Sequence, residues 1–327
     1  MGRMHRRNSR MKRALIICFL LIANSVTAQP YPSKSIRFIV PFAPGGTNDI
    51  VARMVGVKLT EAWGQPVVID NRGGAGGVIG ADLAAKSVPD GYTLLMANVN
   101  FATNPGLVRN LPYDTEKDFA AVSLLATSPS VLVVHPSIPV RSVKEMIAFA
   151  KAKPGQLSYS SSGAGTTGHM AMELLKQMAA IDMVAVHYKG GGPALIDLIA
   201  GRVSPGFATI LSAAPHIEGG RLRALAVSTP KRSSALPDLP TVAEAGVPGY
   251  EFTGWWGVVV PARTPHAVIS KLNGELVKIL AQPDVRERLV REGADPASTT
   301  PEAFTAYMRS EVAKWSKVIK TANIKAE

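Results

Sequence analysis

Short apolar runs alternate with amphipathic stretches along the chain, and glycine and proline mark the joints. Ile36 to Phe42 (IRFIVPF) is rich in β-formers and predicts a strand, broken by Pro44-Gly45-Gly46-Thr47-Asn48. A helical spacing then carries Ile50, Val51, Met54, Val57 and Leu59 to about Trp63. Pro66 to Asp70 predicts a second strand. A glycine-dense turn, Gly73 to Gly80, leads into a helix over Ala81 to Lys86, and Tyr92 to Ala97 predicts a third strand. Strands separated by helices at this spacing need crossover connections, which predict a parallel sheet.

The alternation resumes further on. Val131 to His135 predicts a strand, and Ser142 with Glu145 a capping box for a helix that stops before Pro154-Gly155. Leu157 to Ser162 predicts a strand, followed by Gly163-Ala164-Gly165-Thr166-Thr167 and a helix to about Ala180. Met183 to His187 is another strand, after which Lys189-Gly190-Gly191-Gly192-Pro193 opens a helix to Ala200. Arg223 to Ser228 predicts a strand, and Thr241 with Glu244 a second capping box. The last third is helical. Thr264-Pro265 supplies an N-cap and an N1 proline, Pro283 starts a helix ended at Gly293, and Thr300-Pro301 starts one with Phe304, Met308, Val312, Trp315 and Ile319 on one stripe. The fold class is therefore α/β, with two α/β units in sequence and a helical tail. No Ser- or Gly-rich linker separates the units, which predicts two lobes joined by crossing strands. Open parallel sheets bind ligands at the carboxyl ends of their strands, beside helix N-termini.

Composition narrows the class. The chain has 327 residues, 46% of them apolar and only 18% charged. That is below the roughly 25% charge of an average soluble domain, and it excludes a disordered chain or a charged scaffold. A single cysteine, Cys18, excludes a disulfide framework and a multi-cysteine metal centre. Residues 1–28 hold Arg3, Arg6, Arg7, Arg10, Lys12 and Arg13 and no acid, then the apolar run Ala14 to Ala23 and the small-residue pattern Val26-Thr27-Ala28. This reads as a secretory signal peptide cleaved after about Ala28. The alternative, an uncleaved anchor, would need about 20 apolar residues. Cleavage would lower the formal net charge from +12 by six cations, to +6, and remove the cysteine. No basic stripe with interleaved aromatics is present, so no nucleic acid is expected as a partner.

Three junctions share one design: Pro44 to Asn48, Ser160 to Thr167, and Lys189 to Pro193. Each sets small residues where a strand ends and a helix begins, so that free backbone N–H groups and the helix dipole can hold an anion without a charged side chain. Turn chemistry alone also explains one such glycine loop, whereas two in separate lobes favour a carboxylate site between lobes. Gly163-x-Gly165-x-x-Gly168 matches the dinucleotide fingerprint, but His187-Tyr188-Lys189 stands where an acid should end the next strand. Hydrolase chemistry finds little support. There is no G-x-S-x-G elbow, His135, His169, His187, His216 and His266 are scattered, and a serine of the 160–162 run paired with His169 lacks an orienting acid. Asp49 is expected to satisfy N–H groups at its helix start. Trp255 and Trp256 either pack the core between lobes or cover a ligand.

At this point the residues resemble a family. Val40-Pro41-Phe42-Ala43-Pro44-Gly45-Gly46-x-x-Asp49, Asn71-Arg72-x-Gly74-Ala75-Gly76-Gly77, Pro89-Asp90-Gly91-Tyr92-Thr93-Leu94, Leu111-Pro112-Tyr113-Asp114, Tyr188-Lys189-Gly190 and Leu239-Pro240-Thr241-Val242-x-Glu244-Ala245-Gly246 are similar to the Bug receptors. These are the extracytoplasmic solute receptors of tripartite tricarboxylate transporters (the TctC family), and the resemblance runs from Tyr31 to the C-terminal helix. It implies a type II periplasmic binding-protein fold with a deep cleft. Lobe 1 would comprise residues 29–127 and 252–327, and lobe 2 residues 128–251. It also implies reversible capture of a small carboxylate, partly through water, and delivery to the transporter's membrane subunits, with no catalysis, no cofactor and no metal. The positions carried over as ligand-binding are Phe42, Ala43, Gly45, Gly46, Thr47 and Asn48, with Ser161, Ser162, Gly163, Gly165, Thr166 and Thr167. A monomer in the periplasm is expected. Many relatives carry an Asp after the strand that reads Val203-Ser204-Pro205-Gly206-Phe207, where this chain has Ala208. Losing that partner for a ligand amine disfavours an amino-acid ligand. A periplasmic ligand-sensing adaptor, or a hydrolase using Ser160 to Ser162, are the competing readings.

Overall fold

The computed structural model of the protein describes residues 31–188, 191–233, 235–291 and 293–324. The expected signal peptide and the Lys189-Gly190 pair lie outside the described residues.

β1 (Ile36–Val40) is buried at every position but Arg37, as a parallel strand covered on both faces requires. A loop leads to α1 (Thr47–Trp63), which buries Val51, Met54, Val55 and Leu59. Val57, expected on that stripe, is 56% exposed. Two residues beyond Val55, it points nearly the opposite way at 3.6 residues per turn. β2 (Val67–Asn71), the turn 73–77, α2 (Val78–Ala85) and β3 (Thr93–Asn98) complete the first crossovers. Gly80 of α2 has no room for a side chain, since a Cβ would lie 2.9 Å from Arg72 O and from Pro41 Cα. α3 (Val99–Leu107) and β4 (Phe119–Ser128) follow.

Next come β5 (Ser130–Val134), α4 (Val143–Ala152), β6 (Ser158–Ser161), α5 (Thr167–Ala179), β7 (Val184–His187), α6 (Gly191–Ile199), β8 (Gly206–Thr209), α7 (Ile210–Glu218) and β9 (Arg223–Val227). The chain closes with β10 (Gly254–Pro261), α8 (His266–Ala281), α9 (Pro283–Arg291), β11 (Asp295–Pro296) and α10 (Pro301–Thr321). One sheet has six strands in the order β11-β4-β10-β3-β1-β2, and the other five in the order β7-β6-β8-β5-β9.

Both sheets are mixed, which corrects the parallel expectation. The crossover units are parallel, β1 with β2 and β3, and β6 with β7 and β8. β10 runs antiparallel to β3 and β4, and β5 antiparallel to β8 and β9. These antiparallel strands flank the points where the chain changes sheet. Only Pro129 separates β4 from β5. Ser228 ties that crossing to the return path: its Oγ accepts the Ser130 N–H at 2.9 Å and donates to Phe252 O at 2.9 Å.

The cap expectations fare unevenly. Thr300 accepts the Ala303 N–H at the start of α10, as expected. Ser142 accepts the Glu145 N–H, but the Glu145 carboxylate reaches the Arg141 N–H one residue too early for a reciprocal box. Thr241 and Glu244 do bond reciprocally, yet they close a turn and no helix follows. Thr264 turns its hydroxyl back to Pro261 O, so Pro265 is the N-cap of α8 in its place. On α10, Phe304, Met308, Trp315 and Ile319 are buried as expected and Val312 is half-buried. Trp255 and Trp315 both donate their indole N–H to the buried Glu311 carboxylate, at 3.1 and 2.9 Å. Trp255 and Trp256 are 1% and 6% exposed, which favours packing for both.

Candidate functional site

The first loop, residues 41–46, carries the chain from β1 into α1. Gly45 adopts φ +85°, a conformation that glycine tolerates without cost. Gly46 is the N-cap and takes no side-chain cap bond. A Cβ on either glycine would meet open space. Ala43, Gly45 and Gly46 are exposed, and Phe42, Thr47 and Asn48 half-buried. The first N–H groups of a helix have no intrahelical acceptor, so those of Thr47 and Asn48 remain available.

Asp49 fixes this loop from behind. It is 3% exposed and sits in the first turn of α1. Its Oδ2 accepts the Gly45 N–H at 2.9 Å and Arg53 Nε at 2.9 Å, while Oδ1 accepts Asn71 Nδ2 at 2.9 Å. Asn71 Nδ2 also donates to Phe42 O at 3.1 Å. Burial would raise the Asp49 pKa, but the Arg53, Gly45 and Asn71 donors outweigh it and hold it below the ordinary carboxylate value. Asn48 Oδ1 accepts from Asn98 Nδ2 at 3.0 Å, which leaves the Asn48 amide N–H groups as donors.

The second loop, residues 162–166, joins β6 to α5. Gly163 has φ +131° and Gly165 φ +71°. Ser161 Oγ donates to Gly163 O at 3.0 Å and accepts the Gly163 N–H at 3.2 Å. Ser162 Oγ donates to Thr166 Oγ1 at 3.2 Å, and Thr166 Oγ1 to Gly163 O at 2.7 Å. Gly165 gives its N–H to His169 Nδ1 at 3.0 Å, and its carbonyl accepts from Thr103 Oγ1 of α3 at 3.2 Å. At the start of α5, the N–H groups of Thr167 and Gly168 have no intrahelical acceptor. Gly168 has a packing cause of its own, since a Cβ there would lie 2.8 Å from Phe207 O of β8.

Each set of expected positions is thus gathered in one loop, and both loops rest on shared ground. Gly73 would place a Cβ 3.2 Å from Ala43 N, and Gly76 one 3.9 Å from Ala164 O. No hydrogen bond joins the two loops directly among the described residues. The N–H groups of Gly45 and Gly165 are turned inward to Asp49 and His169, so these glycines shape their loops and do not offer donors. Ala208 is half-buried within β8, opposite Val131, and not beyond the end of a strand as expected. Because β6 and β8 are parallel, it lies at the same sheet edge as the second loop.

Sequence reasoning missed the α3 polar face. Asn98, Asn100, Thr103 and Asn104 are all 8% exposed or less. Asn104 Nδ2 bonds Gly76 O at 3.3 Å and Tyr113 Oη at 3.2 Å, and the Asn100 amide nitrogen has no protein partner. Asn98, Asn100, Asn104 and Tyr113 border a cavity of about 10 Å³, room for roughly one water. Asparagine repeated directly after a strand was the available signal. Among the described residues, no group of three His, Cys, Asp or Glu side chains is placed to hold a metal ion.

Comparison with known proteins fits this geometry. Residues 51–324 match the model of the tripartite tricarboxylate transporter family receptor, TctC. Protein BugT of Bordetella pertussis (strain Tohama I) is 37% identical over 324 residues, covering 96% of this chain and 99% of that one. The solved structure of R. palustris Rpa4515 with adipate has a TM-score of 0.85 at 39% identity, covering 91% of this chain and all of that one. MatC from Rhodopseudomonas palustris with bound malate has a TM-score of 0.81 at 31% identity, with 88% and 100% covered. The chain belongs to the TctC family, the solute receptors of tripartite tricarboxylate transporters.

Proposed function

We propose that this receptor clasps one small carboxylate between the first and second glycine loops and presents it, as a monomer, to the membrane subunits of its transporter. The observation that carries this reading is the pair of open helix starts, at Thr47-Asn48 and Thr167-Gly168, each held by an internally satisfied loop. Helix N-termini bind anions through backbone N–H groups and the dipole, with no cationic side chain. The other loop positions, Phe42, Ala43, Gly46, Ser161, Ser162, Gly163 and Thr166, line or brace the ligand.

Relatives solved with adipate and with malate support a dicarboxylate as the solute. Ala208 leaves the wall beside the second loop without a charge for a ligand amine, so an acid without an amino group fits better. The division of the chain that serves closure is residues 29–127 with 252–327, and 128–251. The cationic leader 1–28 directs export and is removed near Ala28. Among the described residues no helix is long and apolar enough to cross a membrane.

Thermal shift and calorimetry with adipate, malate, nicotinate, aspartate and glutamate test the reading. A ligand at 100 times its dissociation constant should add about 2.7 kcal/mol of stability. One-to-one binding of an amine-free acid, recovered unchanged, is the expected result. No shift with any carboxylate, and none extracted from the denatured protein, would overturn it. Micromolar binding of aspartate would overturn the role given to Ala208.

A further inference from the structure

His169 is the third residue of α5 and only 3% exposed. Its Nδ1 accepts the Gly165 N–H at 3.0 Å, which requires an unprotonated Nδ1 and places the ring proton on Nε2. The ring meets His187 of β7 edge to face, with centroids 4.7 Å apart, and lies parallel to Tyr159 of β6 at 6.3 Å. His187 Nδ1 is 2.9 Å from Ser161 Oγ, the group that holds Gly163. The charged groups nearby are Lys176 and Glu173 of α5, paired at 2.7 Å, and Tyr159 donates its hydroxyl to the same Glu173 oxygen. Two imidazoles therefore stand behind the second loop, one fastening Gly165 directly and the other reaching Gly163 through Ser161.

Gly165 is clamped from both sides. A Cβ there would lie 2.6 Å from Leu107 Cδ1 and 3.0 Å from Thr103 Oγ1 of α3. A buried N–H without an acceptor is costly, so the turn persists only while something accepts that N–H. Burial, with His187 and Lys176 acting the same way, pushes the His169 pKa down to about 3, so the ring is a neutral acceptor at ordinary pH.

We propose that His169 is a positioning residue for solute capture: by accepting the Gly165 N–H it fixes the second loop so that the start of α5 faces the ligand and the Gly165 carbonyl faces Thr103. The inference rests on the carboxylate reading of that loop. It extends it to a residue that touches no ligand.

Two substitutions separate positioning from bulk packing. Asn at 169 places Oδ1 near the position of Nδ1 and keeps an acceptor, whereas Leu fills the space without one. His169→Leu should weaken adipate or malate binding by about tenfold or more, and His169→Asn should restore it to within roughly threefold of the native protein. Equal affinity in native protein and His169→Leu, or failure of His169→Asn to recover it, would overturn the proposal. Nitrogen NMR of the native protein serves if His169→Leu does not fold. A neutral ring protonated on Nε2, with a Gly165 amide slow to exchange, is expected. A ring protonated on Nδ1 at neutral pH would overturn it. If the native protein binds neither acid, the dicarboxylate assignment fails, and the NMR result still decides whether His169 holds Gly165.

Discussion

Gly45 gives its N–H to the carboxylate of Asp49, whereas Gly165 gives its own to the imidazole of His169. The two loops thus share a design while differing in what stands behind them. The first is braced by a charge, itself neutralised by Arg53 and oriented by Asn71. The second is braced by a neutral ring packed edge to face against another imidazole and parallel to a phenol. The difference follows from surroundings. Arg53 is about half exposed, so the first brace can keep an ion pair in contact with water. His169 is enclosed between β6, β7 and α5, where an uncompensated charge would be expensive. In both loops an inward N–H is satisfied, and the first N–H groups of the helix have no intrahelical acceptor.

The charged brace gives the largest expected effect. Asp49→Ala removes the acceptor shared by Gly45, Arg53 and Asn71. It should cost about 2–3 kcal/mol in denaturant unfolding and weaken carboxylate binding. A loss under 0.5 kcal/mol would mean that the loop holds itself.

The pH response separates the braces next. The folded pKa of His169, about 3, lies below the value near 6.5 of an unfolded histidine. Between those values the unfolded chain binds more protons, so this stability is fully present above about pH 6.5 and is lost as pH falls toward 3. The slope is up to about 1.4 kcal/mol per pH unit. Asp49 has a lowered pKa, so its contribution is present above about pH 4 and is lost only below that. Comparing pH-dependent unfolding of the native protein and His169→Asn should show the loss between pH 6 and 4 flatten in the variant. An unchanged slope there would contradict the neutral brace.

Glycine substitutions sharpen the contrast on a smaller scale. Gly165→Ala combines φ +71° with a Cβ 2.6 Å from Leu107 Cδ1, and should cost about 1–3 kcal/mol of stability. Gly46→Ala meets no atom within 4 Å, so its stability should stay within about 1 kcal/mol while its methyl group obstructs the ligand. Thr103→Val, which deletes the bond to the Gly165 carbonyl, should cost less than Gly165→Ala, about 0.5–1.5 kcal/mol. Urea unfolding and calorimetry on the three variants would reveal any reversal of that order.

Much of this was legible in the sequence, and unevenly so. Crossover units read well because β1 is a bounded apolar run and α1 an amphipathic one. The fold family was carried by turn and loop residues, such as Pro41 to Asp49, that need particular backbone shapes. The mixed sheets were not legible, because β4 and β10 are buried almost throughout and their pattern carries no sign of direction. α3 was missed because VNFATNPGL contains Pro105 and few strong helix formers, so tertiary burial decides its conformation. In the site, the glycines were visible while their braces were only half visible. Asp49 stands four residues from Gly45, in the spacing of a first helical turn. His169 stands at the same spacing from Gly165, but its partner His187 arrives from another strand, which no local pattern announces.

In the proposed binding mode, free helix-start N–H groups bind the carboxylate while the inward ones hold the loops. Amide NMR during titration with adipate or malate tests it most directly. The largest shifts should fall on Thr47, Asn48, Thr167 and Gly168, with Gly45 and Gly165 already bonded and little changed. Shifts concentrated elsewhere, with those four amides unmoved at saturation, would contradict the claim.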